Sequence, residues 1–539
     1  MKKQKTLLLI TAALFIAWPA QKALAQHIKV KPATYMVVKE GANLKLSGNA
    51  TVEDGGKLDI FGNVTISGTL SSNSAANILL HSEADKDGSL IFGSGTAEAT
   101  IQRYVGVSGD PDWHTVSVPL TTGATTANFY FDSNPSAWLM RFVESEPAEN
   151  AWQYVIDIDK PLHYGEGFLL MPESSVTAKF EGTVNGDAFT LNNSSSPALS
   201  YTGDAGFPGF NLVGNPFTSA IQFDNSGSTN FTMTGMEESI WVLDQSGGQN
   251  NYLNRTSAGG GTLTEGVVPK GQAFFVRATT ANPELTIPTS AKLHHGQDFY
   301  KSNQEIDSGY EYFVKLRVNE SASWDEIMVS FGSNATESFD NGYDCSKMMG
   351  GEKSPQLYLV ESTISNALSI NHLPLLTEDR IRVVRMDFIP GTTGEQSLTA
   401  DLSRLGDQRL VLEDLKENLK YDLSDNNTYS FVGSKDDEPA RFKLHFYDVT
   451  GLDENPSAEN NIKVYSYRKE VVIQPLSQLN ETNTLQLQLY DLMGRMLYAT
   501  ELPANQTSRL NLNQLPDGVV LARVLYNRGV KTTRLLLQD

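Results

Sequence analysis

The 539-residue chain holds a single cysteine, Cys345, so no disulfide can form within it. A chain without such staples must be stabilised by burial in sizeable domains. It is also short of base, with 42 Lys and Arg against 63 Asp and Glu and a formal net charge of −21. That sign opposes binding to nucleic acid or anionic lipid and favours solubility. No second long apolar run follows the N-terminal one, so no transmembrane span is expected in the mature form. No long segment carries apolar residues at helical spacing either. His-Glu-x-x-His, Gly-x-Ser-x-Gly and a phosphate-binding loop ending in Lys-Ser/Thr are all missing. No catalytic, cofactor-binding or metal-ligating set is therefore assigned. His294-His295 has no acidic or cysteine partner at ligand spacing and reads as an exposed turn.

What is present begins with "MKKQKTLLLITAALFIAWPAQKALAQ". Lys2, Lys3 and Lys5 form a positive region, Leu7 to Ala17 an apolar one, and Ala23-Leu24-Ala25 a small-x-small site. The pattern is that of a secretory signal peptide cleaved between Ala25 and Gln26. Removing its four lysines leaves 38 basic against 63 acidic residues, a net charge of −25.

The rest reads as all-β, with strands of about five residues between Gly-, Asn-, Ser- and Thr-rich turns. "NLKLSGNATV" (43–52) and "KLDIFGNVTI" (57–66) align at an offset of 14 and suggest stacked hairpins or a short solenoid. "GFNLVGNPF" (209–217) reads as a buried strand entering a turn fixed by Asn215-Pro216. In "GYEYFVKLRV" (309–318) and "RFKLHFYDV" (441–449), apolar residues alternate as in strands half buried in a sandwich. "GLDENPSAENN" (451–461) is polar and unpatterned, as a linker is. The expected division is 1–25 signal peptide, 26–105 repeat-like short strands, 106–300 a Trp-rich sandwich, 301–450 a second sandwich, 451–463 linker and 464–539 a small C-terminal sandwich.

Two local patterns invite a ligand. Trp113, Trp138, Trp152, Tyr154 and Trp241 admit two readings: core and edge packing, the commoner fate of sandwich tryptophans, or a carbohydrate-stacking platform. In "EADKDGSL" (83–90), Glu83, Asp85, Asp87 and Gly88 stand at the spacing of an EF-hand loop start. The twelfth position is Ser94 instead of a bidentate Glu, so a solvated turn without tight calcium binding is expected.

The C-terminal segment "YDLMGR" (490–495), "LNLNQLPDGVVLARV" (510–524) and "GVKTTRLLLQ" (529–538) resembles the sorting domain of proteins exported by the type IX secretion system. Where that family commonly opens with Pro-Asn-Pro, this chain has "VYSYRKEVVIQP" (464–475). The resemblance implies an immunoglobulin-like sandwich whose signal residues are Asp491, Gly494, Arg495, Leu515, Pro516, Gly518, Gly529 and Lys531. It further implies the type IX machinery and its C-terminal-domain peptidase as partners, and a route through the periplasm to the exterior of a Gram-negative outer membrane. "GEGFLL" (165–170), "FEGTVNGD" (180–187), "GFNLVGNPFTSAI" (209–221), "PKGQAFFV" (269–276) and "SFDNGYDCSKM" (338–348) resemble motifs of large surface proteins using the same pathway, "FEGTVNGD" as a hairpin. Their biochemical function is typically unknown. Cys345 stands where a small residue is expected, which points to a buried thiol.

The function expected is that of a secreted or cell-surface protein without enzymatic activity, an adhesin or polymer-binding or structural component. Its partner would be a surface glycan or a host or matrix polymer. The alternative is an extracellular hydrolase of glycans or peptides, whose carboxylate pair no motif marks.

Overall fold

The computed structural model describes residues 27–107, 113–122, 136–157, 159–203, 206–225, 228–244, 251–295, 309–321, 323–361, 367–376, 381–406, 408–447, 462–467, 469–475, 484–491, 494–504, 506–526 and 529–538. The leader with Ala25 and Gln26, and the linker 451–461, lie outside the described residues. The fold is all-β, in two compact units: 1–375 with 387–404 and 430–439, and 376–386 with 405–429 and 440–539.

The first unit begins with a parallel solenoid. Ile28–Val30 pairs with Ala50–Val52 and that strand with Leu70–Ser72, each in parallel. Tyr35–Val38 pairs with Lys57–Ile60, and Asn43–Leu46 with Asn63–Ile66. Partners in these first coils are 20 or 22 residues apart, which is one coil, and in the last coils 21 or 26. The 14-residue match in the sequence is therefore not the repeat, and parallel pairing rules out stacked hairpins. Leu44 lies beside Val64, whereas Leu58 lies beside Met36 and Ile78, on a different side of the coil. The match arose because Gly-Asn turns recur at successive corners, where Asn49 Oδ1 accepts the Thr69 N–H at 3.0 Å and the Asn63 amide donates to Asn43 at 2.9 Å.

Inside the coil, alternation becomes stacking. Val38, Ile60, Leu80 and Ile101 form one inward column, and Leu46, Ile66 and Phe92 another, all buried. Val176–Asn185 runs antiparallel along the whole of Thr96–Val105. "FEGTVNGD" accordingly closes the solenoid instead of forming a hairpin of its own. The reason is that ten consecutive ladder partners on the coil outcompete a local turn.

Beyond the solenoid, sheets lie in layers. One has the order His114–Ser117, Gly167–Met171, Trp138–Phe142, Trp152–Tyr154. A second has the order Phe210–Gly214, Ala273–Arg277, Ser239–Asp244, Asn251–Thr256. The second sheet is covered on both faces, which is why its strands read as continuous apolar runs. Val213, Phe274, Val276 and Val242 point into one core. Phe210, Leu212, Trp241 and Phe275 point into another, shared with Tyr310, Met328 and Cys345. The next sheet contains Tyr312–Glu320 antiparallel to Ser323–Gly332, with Val314, Leu316 and Val318 all buried as their alternation predicts.

In the second unit, Phe442–Tyr447 pairs with Arg409–Asp414 and buries Phe442, Leu444 and Phe446. Residues 462–538 form a small sandwich of a three-stranded and a four-stranded sheet. Its core takes Val471 and Ile473 from one sheet and Leu485, Leu487, Leu489, Ala522 and Val524 from the other.

Candidate functional site: an aromatic sheet face

The five aromatic residues singled out in the sequence divide. Trp241 is fully buried in the second sheet, its indole N–H donating to the Ser346 carbonyl at 3.1 Å. The other four gather on one face of the first sheet. Trp138 lies opposite Met171, Met140 opposite both Leu169 and Tyr154, and Phe142 opposite Trp152, and opposed residues share a face. Trp113, just before His114–Ser117, packs against the Met140–Leu169–Leu243 cluster from the same side.

This face is covered at one end and open at the other. Phe142 and Trp152 meet the Phe275 ring edge-on at 4.9 and 6.0 Å, inside the layered core. At the open end Trp138 is 50% and Tyr154 53% exposed, their rings edge-to-face at 5.3 Å. Ile156, just beyond, is 89% exposed. Trp152–Tyr154 is the edge strand of its sheet.

The polar motifs do other work. Asn215 is fully buried, and its amide nitrogen donates to Ser219, Val268 and Pro269 carbonyls while its oxygen accepts the Phe217 N–H. It thereby joins "GNPF" to "PKGQ", whose Gly271 has φ +73, a left-handed conformation that glycine adopts without strain. In "SFDNGYDCSKM", Asp340 accepts from the Thr336 N–H and hydroxyl, and Asp344 accepts the N–H groups of Asp340 and His372 at 2.6 and 2.5 Å. Burial raises the Asp344 carboxyl to about 7. It is 1% exposed, so it presents no acid or base to a substrate. The His372 ring stacks on Tyr343 and bonds Ser330 at 2.9 Å, and burial holds its pKa below the usual imidazole range. Cys345 is buried and its thiol is pushed well up by that burial, so it is no nucleophile.

A profile of the family described as "Domain of unknown function (DUF8693)" matches residues 9–446. The chain belongs to that family. The matched span holds the solenoid and the layered sheets, and ends before the C-terminal sandwich of this DUF8693 member. No curated protein sequence matches the chain. Among solved structures, a two-domain fibronectin type III segment of chicken tenascin is similar at 12% identity, covering 28% of this chain and 94% of its own, with a TM-score of 0.13. A BSP domain of a biofilm-associated protein is similar at 9% identity, covering 85% and 68%, also with a TM-score of 0.13. Scores this low define no shared architecture.

Two metal readings meet a structural alternative in this DUF8693 chain. The EF-hand-like stretch folds as a minimal hairpin, Ser82–Glu83 against Lys86–Asp87. Asp87 is no solvated turn residue: Arg103 donates to it at 2.9 Å and the Lys270 ammonium lies at 2.8 Å. Burial lowers the Lys270 pKa against the attraction of Asp87. His294-His295 is a half-buried connection and not an exposed turn, because His294 bonds Thr65 and Ser89 of the solenoid at 2.8 Å each and His295 bonds Glu265 at 3.1 Å. Among the described residues, no three His, Cys, Asp or Glu side chains converge as a metal set.

The sorting-like residues all sit at turns or edges of the C-terminal sandwich. Asp491 accepts the Arg495 N–H at 2.9 Å and pairs with its guanidinium at 3.1 Å, and Gly494, at φ +80, donates to the Asp491 carbonyl. The strands Thr484–Tyr490 and Met496–Pro503 are thus antiparallel neighbours joined beside Gly494, where a residue with a Cβ would be strained. Leu515 is buried, and its carbonyl accepts the Lys469 ammonium at 3.0 Å next to Pro516. Gly518 opens the strand Gly518–Tyr526 opposite Leu537, while Gly529 and Lys531 lie opposite Tyr526 and Val524.

Proposed function

We propose that this chain is an exported, surface-exposed or secreted protein without enzymatic activity, acting as an adhesin or polymer-binding component. The observation that carries the reading is the open end of the aromatic face. Two half-exposed rings stand together, Tyr154 on the edge strand and Trp138 on the strand beside it, where burial would normally draw them in. Two buried carboxylates on this sheet and the loop after it favour binding over hydrolysis, since Glu166 is paired with Arg141 at 2.5 Å and Glu144 accepts the Thr202 and Gly209 N–H groups at 2.7 Å. Support for export comes from the signal-peptide pattern of residues 1–25 and from the sorting-like turns of 464–539. Among the described residues no helix is long and apolar enough to cross a membrane.

The test is surface proteolysis of intact cells of the native host. Full-length protein should be cleaved from outside, and a chain lacking 464–539 should accumulate in the periplasm. A full-length protein shielded from protease on intact cells would overturn the surface assignment. Unchanged display after the deletion would overturn the sorting route.

A further inference from the structure

We infer that the Trp138–Tyr154 end of the aromatic face binds a neutral glycan chain, with sugar rings lying against the two aromatic rings. The inference deepens the proposed surface role and rests on it. Pyranose rings carry a face of C–H groups with partial positive charge, which an aromatic π face attracts. Trp138 and Tyr154 offer such faces from neighbouring strands of one sheet, each about half exposed. Their edge-to-face angle of 76° presents two differently inclined surfaces, suited to successive sugars in a twisting chain. Ile156 extends the same apolar strip along the chain direction.

The strip's size and charge select this occupant over others. Three exposed side chains make a ribbon, far short of the roughly 800 Å² per partner of a stable protein interface. Glu173, two residues beyond Met171, the partner of Trp138, is exposed at the end of the strip. A carboxylate there accepts from sugar hydroxyls. The net charge of −21 disfavours acidic polysaccharides, leaving neutral ones. Glu166 and Arg141 pair at 2.5 Å, and Arg141 lies opposite Gln153, on the face turned away from the rings, so this acid is held away from a bound glycosidic oxygen.

Affinity electrophoresis of the full chain in gels containing a β-glucan, a mannan, a xylan or alginate tests this. Retardation is expected with at least one neutral glycan and not with alginate. Trp138→Ala and Tyr154→Ala should each weaken it about tenfold, the usual loss on truncating an aromatic anchor. Tyr201→Ala, equally a removal of an exposed ring but outside the strip, should leave it intact. Thermal melts of the variants should match the parent, because both rings are half in water already. The inference is overturned if no neutral glycan retards the chain, if the double variant binds as the parent does, or if alginate binds best. It is overturned equally if size exclusion shows a dimer that the double variant dissolves. Because the cell-surface proteolysis is independent, a displayed protein that ignores glycans sinks this inference and leaves the surface role standing.

Discussion

In the solenoid, the deepest positions are held by Val38, Ile60, Leu80 and Ile101, one above another. At the same depth in the layered sheets stand Asn215, Glu237 and Asp344, all fully or almost fully buried. Each coil of a solenoid satisfies its backbone on the coils above and below, so its inward columns are apolar, and its buried polar side chains, such as Asn77, Thr100 and Arg103, stand outside those columns. The layered sheets are joined by loops that pass through the interior, where backbone N–H and C=O groups have no ladder partner. Side chains must then complete them: Asn215 for four groups, Glu237 for the Ser346 N–H and hydroxyl while pairing Arg277, and Asp344 for two N–H groups. Polar residues inside an apolar motif are therefore no mark of catalysis in this fold. They show where chain enters the core without a neighbouring strand.

The two regions differ most in their response to pH, through Asp344. The unfolded carboxyl titrates near 3.8 and the folded one at about 7, so folding favours the protonated form. The stabilisation is complete below pH 3.8 and is lost as pH rises through about 7. At about 1.4 kcal/mol per pH unit, this interval is worth about 4 kcal/mol. Asp344→Asn has no such titration, so the variant should gain on the parent by about that amount between pH 4 and pH 8. Urea denaturation at both pH values, followed through the buried Trp241, measures it. A difference between parent and variant that ignores pH would show the site to be solvated.

Truncation inside the GNPF turn comes next. Phe217→Ala should cost about 3–5 kcal/mol, the range for a buried phenylalanine. Asn215→Ala should approach it, at about 3 kcal/mol, since three carbonyls and an N–H lose their partner together. A cost below about 1 kcal/mol for Asn215→Ala would remove the distinction between the two regions.

The solenoid should respond more mildly to changes that keep its interior apolar. Ile60→Val removes one methylene from a stacked column and should cost about 1 kcal/mol, read by circular dichroism during denaturation. The smallest effect is expected for Asp85→Ala. Arg103 and Lys270 already neutralise Asp87, so calorimetry should give no micromolar calcium binding by the parent and no change in the variant. Tight binding abolished by that substitution would turn the hairpin into a metal site.

The strand class and the alternation of Val314, Leu316 and Val318 were legible because period-two patterning has one physical solution, a face in and a face out. The buried strand and turn of GFNLVGNPF were legible for a related reason, as an apolar run closed by Asn-Pro. The solenoid's repeat was misplaced because corner chemistry recurs at 14 residues while coil length is set by pairing at 20 or 22, which only contacts between coils reveal. Likewise, the composition of Trp113, Trp138, Trp152, Tyr154 and Trp241 announced an aromatic group, but not which rings a second sheet would cover.

By itself, then, the sequence determined a β-rich, acidic chain without disulfides, its alternating hydrophobic faces and the Asn-Pro turn of GNPF, since these follow from local periodicity, charge and residue conformations. Only the tertiary structure decided that Lys270 reaches Asp87, that Asn215 closes two loops, and that Trp241 is buried while Trp138 and Tyr154 stay open. Those outcomes depend on which distant strands meet, and partners such as Asp87 and Lys270 lie 183 positions apart along the chain.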